Sequence, residues 1–277
     1  MAASPSGVGA EAAGDAARKP PRARTPFPVA AATLVGLIIL WQIVVIVFNV
    51  PNFLLPSPVS ILRDMIATWR ELLRTTAVTS YETLLGFALS VMIGVPLAVA
   101  LAASKAFERA VYPLIVASQA IPKVSVAPLF LVWFGYGLKP KIIIVVLVTF
   151  FPIVINSVVG LKSLSHNMLN LARSMGATST QVFWRFQLPN ALPGIFAGLK
   201  VASVLAIIGA IVAEFVGADS GLGYVIMNAA ADINVPHQFS AVVLLSVIGM
   251  VFFWIIERIE KICLPWHISV RRDRIDA

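Results

Sequence analysis

The stretch GIFAGLKVASVLAIIGAIVAEFV, residues 194–216, decides the fold class of this chain. It is apolar over the roughly 20 residues that a helix needs to cross the ~30 Å hydrocarbon core of a bilayer. Small residues recur at every fourth position, and they include Gly198, Ala202, Ala206 and Ala210. Because small side chains allow helix backbones to approach closely, we predict a central transmembrane helix packed against another helix, in the same subunit or in a second copy.

The composition of the whole chain extends this prediction. Hydrophobic residues make up 59% of the 277 residues, charged residues only 12%, and the mean hydropathy is +0.91. Soluble domains are roughly 45–50% apolar and about 25% charged. We therefore predict an all-α integral membrane protein with six transmembrane helices. The predicted spans are 29–50, 83–103, 111–133, 142–160, 195–216 and 239–256.

Basic residues concentrate in alternate connections between these spans. The connections rich in them carry Arg18, Lys19, Arg22, Arg24, Lys105, Arg109, Lys162, Arg173, Arg185, Arg258, Lys261, Arg271, Arg272 and Arg274. An excess of basic residues also suits nucleic-acid binding, but this alternation indicates membrane topology instead. By the positive-inside rule, both termini and the loop between the fourth and fifth spans face the cytoplasm.

The chain divides into five segments. The first is Ala-, Gly-, Ser- and Pro-rich and predicts a disordered cytoplasmic tail. A signal peptide is disfavoured, because the apolar run that follows exceeds the about 7–15 residues of a signal peptide's apolar region. In the outer connector between the first two spans, apolar residues at helical spacing predict an amphipathic helix on the outer membrane surface; a solvated connector is the alternative. The segments are the tail 1–28, the first transmembrane helix 29–50, the outer connector 51–82, the five-helix core 83–256 and the cytoplasmic tail 257–277.

The third predicted span is irregular. It contains Pro113, Pro122 and Pro128, and Lys123 lies close to the bilayer middle. The prolines leave backbone carbonyl oxygens without a helical hydrogen bond, and these oxygens and the lysine ammonium group need partners from other helices or water. We therefore expect this span to face the protein interior or a water-filled path.

The cytoplasmic loop 161–194 contains the stretch LARSMGATSTQVFWRFQLPNALPG, residues 171–194. Ser165 is a candidate N-cap for a first short helix that ends at Gly176, and Thr178 with Gln181 is a candidate capping box for a second helix. We expect Pro189 to lie near the end of the second helix. Its apolar side, Val182, Phe183 and Phe186, predicts a docking element for a soluble partner.

This loop resembles the EAA loop of permease subunits of bacterial ABC importers, whose signature is E-A-A-x3-G-x9-I-x-L-P. Ala172, Gly176, Leu188 and Pro189 match the signature, whereas Asn170, Leu171 and Phe186 replace its Glu, first Ala and Ile. Four further segments resemble the nitrate/sulfonate/taurine branch of these permeases: FLLPSP (53–58), APLFLVWFGYGLKPK (127–141), FFPIVINSVVGL (150–161) and AEFVGADSGLGYVI (213–226).

The resemblance implies a type I ABC importer permease in the bacterial inner membrane. Such permeases pair as dimers, here expected to be a homodimer, receive solute from an extracytoplasmic binding protein and rest on two ATP-binding subunits. ATP and Mg²⁺ are expected on those subunits and no cofactor on this chain, which also has no phosphate-binding G-x4-G-K-[ST] motif and is not expected to be an enzyme. The residues expected to couple the loop to the ATPase are Asn170, Ala172, Arg173, Gly176, Ala177, Val182, Phe183, Phe186, Leu188 and Pro189.

Polar side chains in the apolar spans are candidates for the solute path, with structural hydrogen bonding or ion pairing as the alternative for each. The candidates are Gln119, Lys123, Ser125, Asn156 and Glu214. Lys123 favours an anion such as nitrate, bicarbonate, taurine or a sulfonate; a pyrimidine precursor of thiamine or another aromatic compound is the alternative solute. No metal site is predicted, since His237 has no second ligand at a useful spacing. A secondary transporter is the alternative of a different class, and a membrane enzyme is disfavoured by the scarcity of His, Asp and Glu.

Overall fold

The computed structural model of the protein describes residues 27–265, so residues 1–26 of the predicted tail and residues 266–277 lie outside it. Every regular element in the described chain is helical. A π-helical turn, Phe183–Gln187, joins the eighth α-helix to the ninth. The α-helices are α1 (Phe27–Val47), α2 (Pro58–Ala67), α3 (Trp69–Ala103), α4 (Lys105–Ser118), α5 (Lys123–Phe134), α6 (Leu138–Lys162), α7 (His166–Ser174), α8 (Ser179–Val182), α9 (Leu188–Gly217), α10 (Leu222–Ala231) and α11 (Val235–Cys263).

Four helical segments of the described chain are long and apolar enough to cross a membrane. They are α3, α6, α11 and the unbroken run of α8, the π-turn and α9, which we name the Ser179–Gly217 rod. The bent pair α4 and α5 supplies a fifth candidate, whereas the described apolar part of α1 is shorter. The predicted all-helical membrane architecture is confirmed with four to five candidate spans, and the count of six stays a prediction.

Helices α3 and α6 run parallel in fixed register. A Cβ atom added at Gly86 would lie 2.6 Å from the Val145 side chain, and the hydroxyl groups of Ser90 and Thr149, one turn further on, are 2.5 Å apart. Small and hydroxyl residues at four-residue spacing therefore let the two helices touch closely along one ridge.

Helices α6 and α9 run antiparallel and meet almost backbone to backbone. A Cβ atom at Gly194 would lie 2.8 Å from the Cα atom of Gly160, and one at Gly198 would lie 2.8 Å from the Cβ atom of Asn156. The ridge of small residues that identified this helix is buried, and its members are Gly198, Ala202, Ala206 and Ala210. The bundle core therefore lies where α9 packs between α6 and the neighbouring helices.

The segment predicted as one span, 111–133, is instead two helices that meet at 95°. Pro122 disfavours a helical conformation for Ile121 before it and donates no backbone hydrogen bond, so α4 ends in short turns and α5 begins after the proline. The start of α4 lies beside the end of α6, where Glu108 pairs with Lys162. The end of α5 contacts the end of α9, so the bent pair still leads from one end of the bundle to the other.

The predicted amphipathic helix of the outer connector is divided between two helices. Ser57 caps α2, and this helix ends at Thr68, whose backbone angles (φ −107°, ψ 17°) depart from helical values. Helix α3 therefore begins at Trp69, well before the span predicted to start at residue 83. Asp64 anchors α2 to the beginning of α11 through a 2.9 Å contact with the His237 ring.

Candidate functional site

The first half of the loop 161–194 is a capped helix with a glycine stop. Ser165 accepts a hydrogen bond from the Met168 amide, which confirms the predicted N-cap. Gly176 has φ +79°, and its amide donates to Arg173 while the Ala177 amide donates to Ala172. These two bonds form a Schellman motif, in which the left-handed residue is favourable only for glycine and a few polar residues.

The second half of the loop does not end where the sequence predicted. Thr178 and Gln181 form the predicted capping box, with both side chains bonded to the partner's amide. The helix then widens into the π-turn and continues as α9 instead of ending near Pro189. In the π-turn the backbone hydrogen bonds span five residues instead of four. Pro189, which has no amide hydrogen, follows this turn directly, where the usual four-residue bond is not needed, and the helix continues through it.

The loop is tied to the bundle at its base. The Gln187 side chain donates to the Leu161 carbonyl oxygen at 3.0 Å, and the Asn190 amide donates to the Ser163 hydroxyl at 2.7 Å. The Gly160–Gly194 approach holds α6 and α9 together one turn further in. The loop is therefore connected firmly to both helices that enter and leave it.

The exposed face of the loop differs from the expected one. Val182 is 6% exposed, and Phe183 packs on the buried cluster around Leu161 and Ala191, while Phe186 is half-buried. Val182 and Phe183 face the bundle because they complete the amphipathic helix against it. The exposed apolar side chains are instead Met168, Leu171, Met175 and Trp184.

The other expected coupling residues are distributed over both faces. Asn170, Arg173 and Gly176 are exposed, Ala172 is buried, and the half-buried ones are Ala177, Leu188 and Pro189.

The break between α4 and α5 brings three of the predicted path residues together. Lys123 is the first residue of α5, and its Nζ atom lies 4.8 Å from the ring centroid of Phe151, close to the middle of α6. Gln119 and Ser125, on the two sides of the break, are exposed. No carboxylate in the described part of the chain forms a salt bridge with Lys123. The break therefore presents a cation and uncapped α5 amides near mid-height of the bundle.

The remaining two path candidates lie elsewhere. Asn156 is half-buried, and its amide donates to the Pro152 carbonyl oxygen of its own helix at 2.8 Å. Glu214 is 2% exposed and lies near the start of α6, about ten residues or ~15 Å along that helix from Phe151. The structure therefore does not join Glu214 to the Lys123 break.

Glu214 instead anchors the turn between α9 and α10. Its Oε1 atom accepts a hydrogen bond from the Thr79 hydroxyl at 2.6 Å, and its Oε2 atom accepts one from the Gly223 amide at 2.5 Å. The Thr79 oxygen in turn accepts from the Leu222 amide at 2.8 Å. A Cβ atom at Gly221 would lie 2.1 Å from the Glu214 carboxylate, so only glycine fits there. The carboxylate thus caps the start of α10, a helix that sequence reasoning did not predict.

A buried ion pair beside Glu214 was also missed. Glu82 of α3 pairs with Lys141 of α6 at 2.7 Å, with both side chains 5% exposed or less. The sequence does contain a signal for this pair: Glu82 and Lys141 have opposite charges and each lies at the edge of an apolar span. Charged residues within a membrane are usually paired. No group of three or more His, Cys, Asp or Glu in residues 27–265 could hold a metal ion.

Comparison with known proteins places this geometry in a family. Residues 90–262 match the family described as "Binding-protein-dependent transport system inner membrane component". The chain is 39% identical over 232 residues to the formylaminopyrimidine transport permease protein of Halalkalibacterium halodurans, covering 83% of this chain and 92% of the relative. It is 36% identical to the riboflavin transport system permease protein of Chloroflexus aurantiacus, covering 86% and 89%.

More distant relatives extend the similarity. The chain is 28% identical to the putative aliphatic sulfonates transport permease protein of Bacillus subtilis, covering 91% of this chain and 92% of the relative. Among solved structures, inward-facing MetNI methionine ABC transporter shares the fold, with a TM-score of 0.58 and 23% identity over 72% of this chain and 97% of that chain.

These matches span the bundle, the loop and the break together, which sets aside the secondary-transporter alternative. The chain therefore belongs to the binding-protein-dependent transport system inner membrane component family, as a multi-pass inner-membrane permease subunit of an ABC importer.

Proposed function

We propose that two copies of this chain form the membrane-spanning part of an importer, with two ATP-binding subunits on the cytoplasmic side and a solute-binding protein outside. ATP and Mg²⁺ bind to the ATP-binding subunits in this assembly, and the permease converts their closure into a change of access. The family supports this arrangement, since its name specifies transport that depends on a binding protein.

The proposed topology has six crossings with both termini in the cytoplasm. The crossings are α1, α3, the α4–α5 pair, α6, the Ser179–Gly217 rod and α11. The parallel packing of α3 with α6 and the antiparallel packing of α6 with α9 support it, because they match the alternating directions that six crossings require. The basic residues near the cytoplasmic loop, including the exposed Arg173, also support it.

The cytoplasmic loop is the proposed ATPase-docking element. We assign its contact surface to the exposed apolar side chains Met168, Leu171, Met175 and Trp184, because exposed apolar groups in a soluble loop mark an interaction site. Gly176 and the capping box fix the angle between the two halves of the loop. The buried Val182 and the half-buried Phe183 transmit a displacement of the loop to α6 and α9.

Replacing exposed apolar loop residues by aspartate tests this assignment. Leu171→Asp and Trp184→Asp are expected to lose the ATP-binding subunit when the tagged permease is purified in mild detergent. Thr180→Asp adds the same charge to an exposed polar position of the same loop, and we expect it to retain the subunit. Equal retention by all three variants, measured by mass spectrometry of the co-purifying chains, would contradict the assignment.

The proposed solute path passes the break between α4 and α5. The observation that carries this proposal is Lys123, a cation near mid-height whose described contact is an aromatic ring rather than a carboxylate. A half-helix N-terminus and a cation at the midplane suit the negative group of a small solute, as in other transporters with broken helices. Gln119 and Ser125 offer hydrogen bonds on the same exposed surface.

The solute is proposed to be a small compound with an anionic group, such as an alkylsulfonate or the zwitterion taurine, and the relatives include an aliphatic sulfonates permease. A second candidate is a heteroaromatic compound, because the formylaminopyrimidine and riboflavin permeases share 39% and 36% identity with this chain. A lysine ammonium paired with Phe151 can contact either an anion or an electron-rich ring.

Uptake of labelled solutes distinguishes the two candidates, and Lys123 variants test whether Lys123 lies on the path. The permease is expressed with its co-purifying ATP-binding subunit and a binding protein, and uptake of radiolabelled taurine, an alkylsulfonate and formylaminopyrimidine is measured. For an anionic solute, Lys123→Met is expected to lower uptake at least tenfold, whereas Lys123→Arg retains most of it. Lys105→Met, an exposed lysine at the start of α4, is the control. Unchanged uptake by Lys123→Met would remove Lys123 from the path.

A further inference from the structure

Three ionisable side chains meet where α3, α6 and α9 pack together, and they carry unequal charge. We name Glu82, Lys141 and Glu214 the outer cluster. Their exposed fractions are 2%, 4% and 2%. Lys141 donates to Oε1 of Glu82 at 2.7 Å, which accounts for one carboxyl group. The second carboxyl group has no cation of its own in the described chain.

The oxygen atoms of the two carboxyl groups are satisfied differently. Both oxygens of Glu214 accept hydrogen bonds, from Thr79 and from the Gly223 amide. Oε2 of Glu82 is buried and has no hydrogen-bond partner in the described chain. Glu82 lies one helical turn after Thr79 on α3, so its carboxyl group is on the same side of that helix as the hydroxyl group that binds Glu214. Oε2 of Glu82 is thus the one atom of the outer cluster without a hydrogen-bond partner, and it lies beside a second carboxyl group. Buried polar atoms usually have a partner.

The surroundings offer no compensating cation. The next charged residue after Glu214 along the chain is Asp219, which is exposed and also acidic. A bound metal ion would need several oxygen ligands and open space. The turn packs too tightly for this, because Cβ atoms at Gly221 and Gly223 would lie 2.1 Å and 2.8 Å from Glu214 carboxylate oxygens. The smallest species that supplies both a positive charge and a hydrogen bond is a proton.

We propose that Glu82 and Glu214 share one proton, which one carboxyl group carries as an O–H and donates to the other. The proton comes from water, and its uptake leaves one carboxylate, one ammonium group and one neutral acid, so the outer cluster has no net charge. Two ionised carboxyl groups this close in a water-poor site would repel each other, and one shared proton removes that repulsion. The outer cluster is thus a proton-binding site that holds the α9–α10 turn against α3 and α6.

Infrared spectroscopy of the full-length chain in lipid nanodiscs at neutral pH tests this proposal. The wild-type protein is expected to show the C=O stretch of a protonated carboxylic acid, with a shift to lower frequency in D₂O. Glu82→Gln and Glu214→Gln should each abolish this band, because either substitution removes one of the two partners and restores electrical neutrality without a proton. Glu257→Gln, at a partly exposed surface pair with Lys261, should leave the band unchanged. Variant-minus-wild-type spectra remove contributions from chains that co-purify.

Three results would overturn the proposal. One is the absence of the band in the wild-type protein. Another is its persistence in Glu82→Gln, and the third is its persistence in Glu214→Gln, because either would assign the proton to a single, independent acid. If Glu214→Gln does not fold, Glu82→Gln decides alone, since this amide keeps an acceptor for Lys141 and gains a donor toward Glu214.

Discussion

The hydroxyl group of Thr79 on α3 links this helix to two later parts of the chain. It donates a hydrogen bond to Glu214 at the end of α9 and accepts one from the Leu222 amide at the start of α10. Thr79 itself is 0% exposed. One buried oxygen atom therefore connects three helices. Its loss would leave a carboxylate oxygen and a backbone amide without a partner.

Replacing this hydroxyl is expected to destabilise the protein measurably. Thr79→Val keeps the side-chain shape but removes both hydrogen bonds, and unsatisfied buried groups cost about 1–3 kcal/mol. We expect a lower half-unfolding temperature in a fixed detergent. Thr79→Ser retains the hydroxyl and should remain closer to the wild-type protein. Equal melting temperatures for the Val and Ser variants would show that the hydrogen bonds do not matter.

The contact between α6 and α9 predicts a sharp contrast between two glycines. Gly198→Val places a side chain where its Cβ atom alone would lie 2.8 Å from Asn156 and 2.9 Å from the Pro152 carbonyl oxygen, whereas a Cβ atom at Gly36 meets nothing within 4 Å. Overpacking a tight contact costs about 1–3 kcal/mol or more. Gly198→Val should therefore lower the yield of folded protein and its unfolding temperature. Gly36→Val should leave both unchanged, and comparable losses would refute the packing argument.

Two lysines that both form ion pairs are expected to differ strongly. Lys141→Met removes the cation from a buried pair, and breaking such a pair by removing one partner costs about 3–5 kcal/mol. Lys162→Met removes the partner of Glu108 from a pair in which the Lys162 side chain is 41% exposed and the Glu108 side chain 26% exposed. Exposed pairs contribute about 0–1 kcal/mol to stability. Thermal unfolding of the two variants side by side checks this order. A larger effect from Lys162→Met would be inconsistent with it.

The loop glycine gives a conformational prediction. Gly176 has φ +79°, and a Cβ atom added there would meet nothing within 4 Å. The backbone conformation, and not the space for a side chain, therefore limits which residues are tolerated at this position. A non-glycine residue in the left-handed region costs about 1–2 kcal/mol, less for asparagine. Gly176→Val should accelerate proteolysis between α7 and α8 more than Gly176→Asn does. Identical cleavage rates for the two variants would mean that the Schellman turn does not hold the loop together.

The sequence was informative where a local pattern determines a local structure. The cap at Ser165, the left-handed Gly176 and the capping box at Thr178 all depend on residues within a few positions of one another, and all three were predicted correctly. The apolar helices were predictable for the same reason, because a long apolar run has few alternatives in a membrane.

Features that depend on distant partners were not predictable. Val182 and Phe183 formed an apolar face in the sequence, but only the position of α6 shows that this face is covered. The sequence did not pair Glu82 with Lys141, because the fixed register of α3 against α6 brings them together. The outer connector is split at Thr68 by a non-helical backbone conformation, although the apolar spacing of the sequence continues through that residue.

The Ser179–Gly217 rod has a mechanical consequence. It contains 39 residues, which corresponds to about 58 Å at 1.5 Å rise per residue, so it is longer than the hydrocarbon core is thick. Trp184 lies near one tip and Glu214 near the other. The rod therefore has the form of a lever arm, and we expect a displacement of Trp184 near one tip to move Glu214 near the other through one continuous helical run.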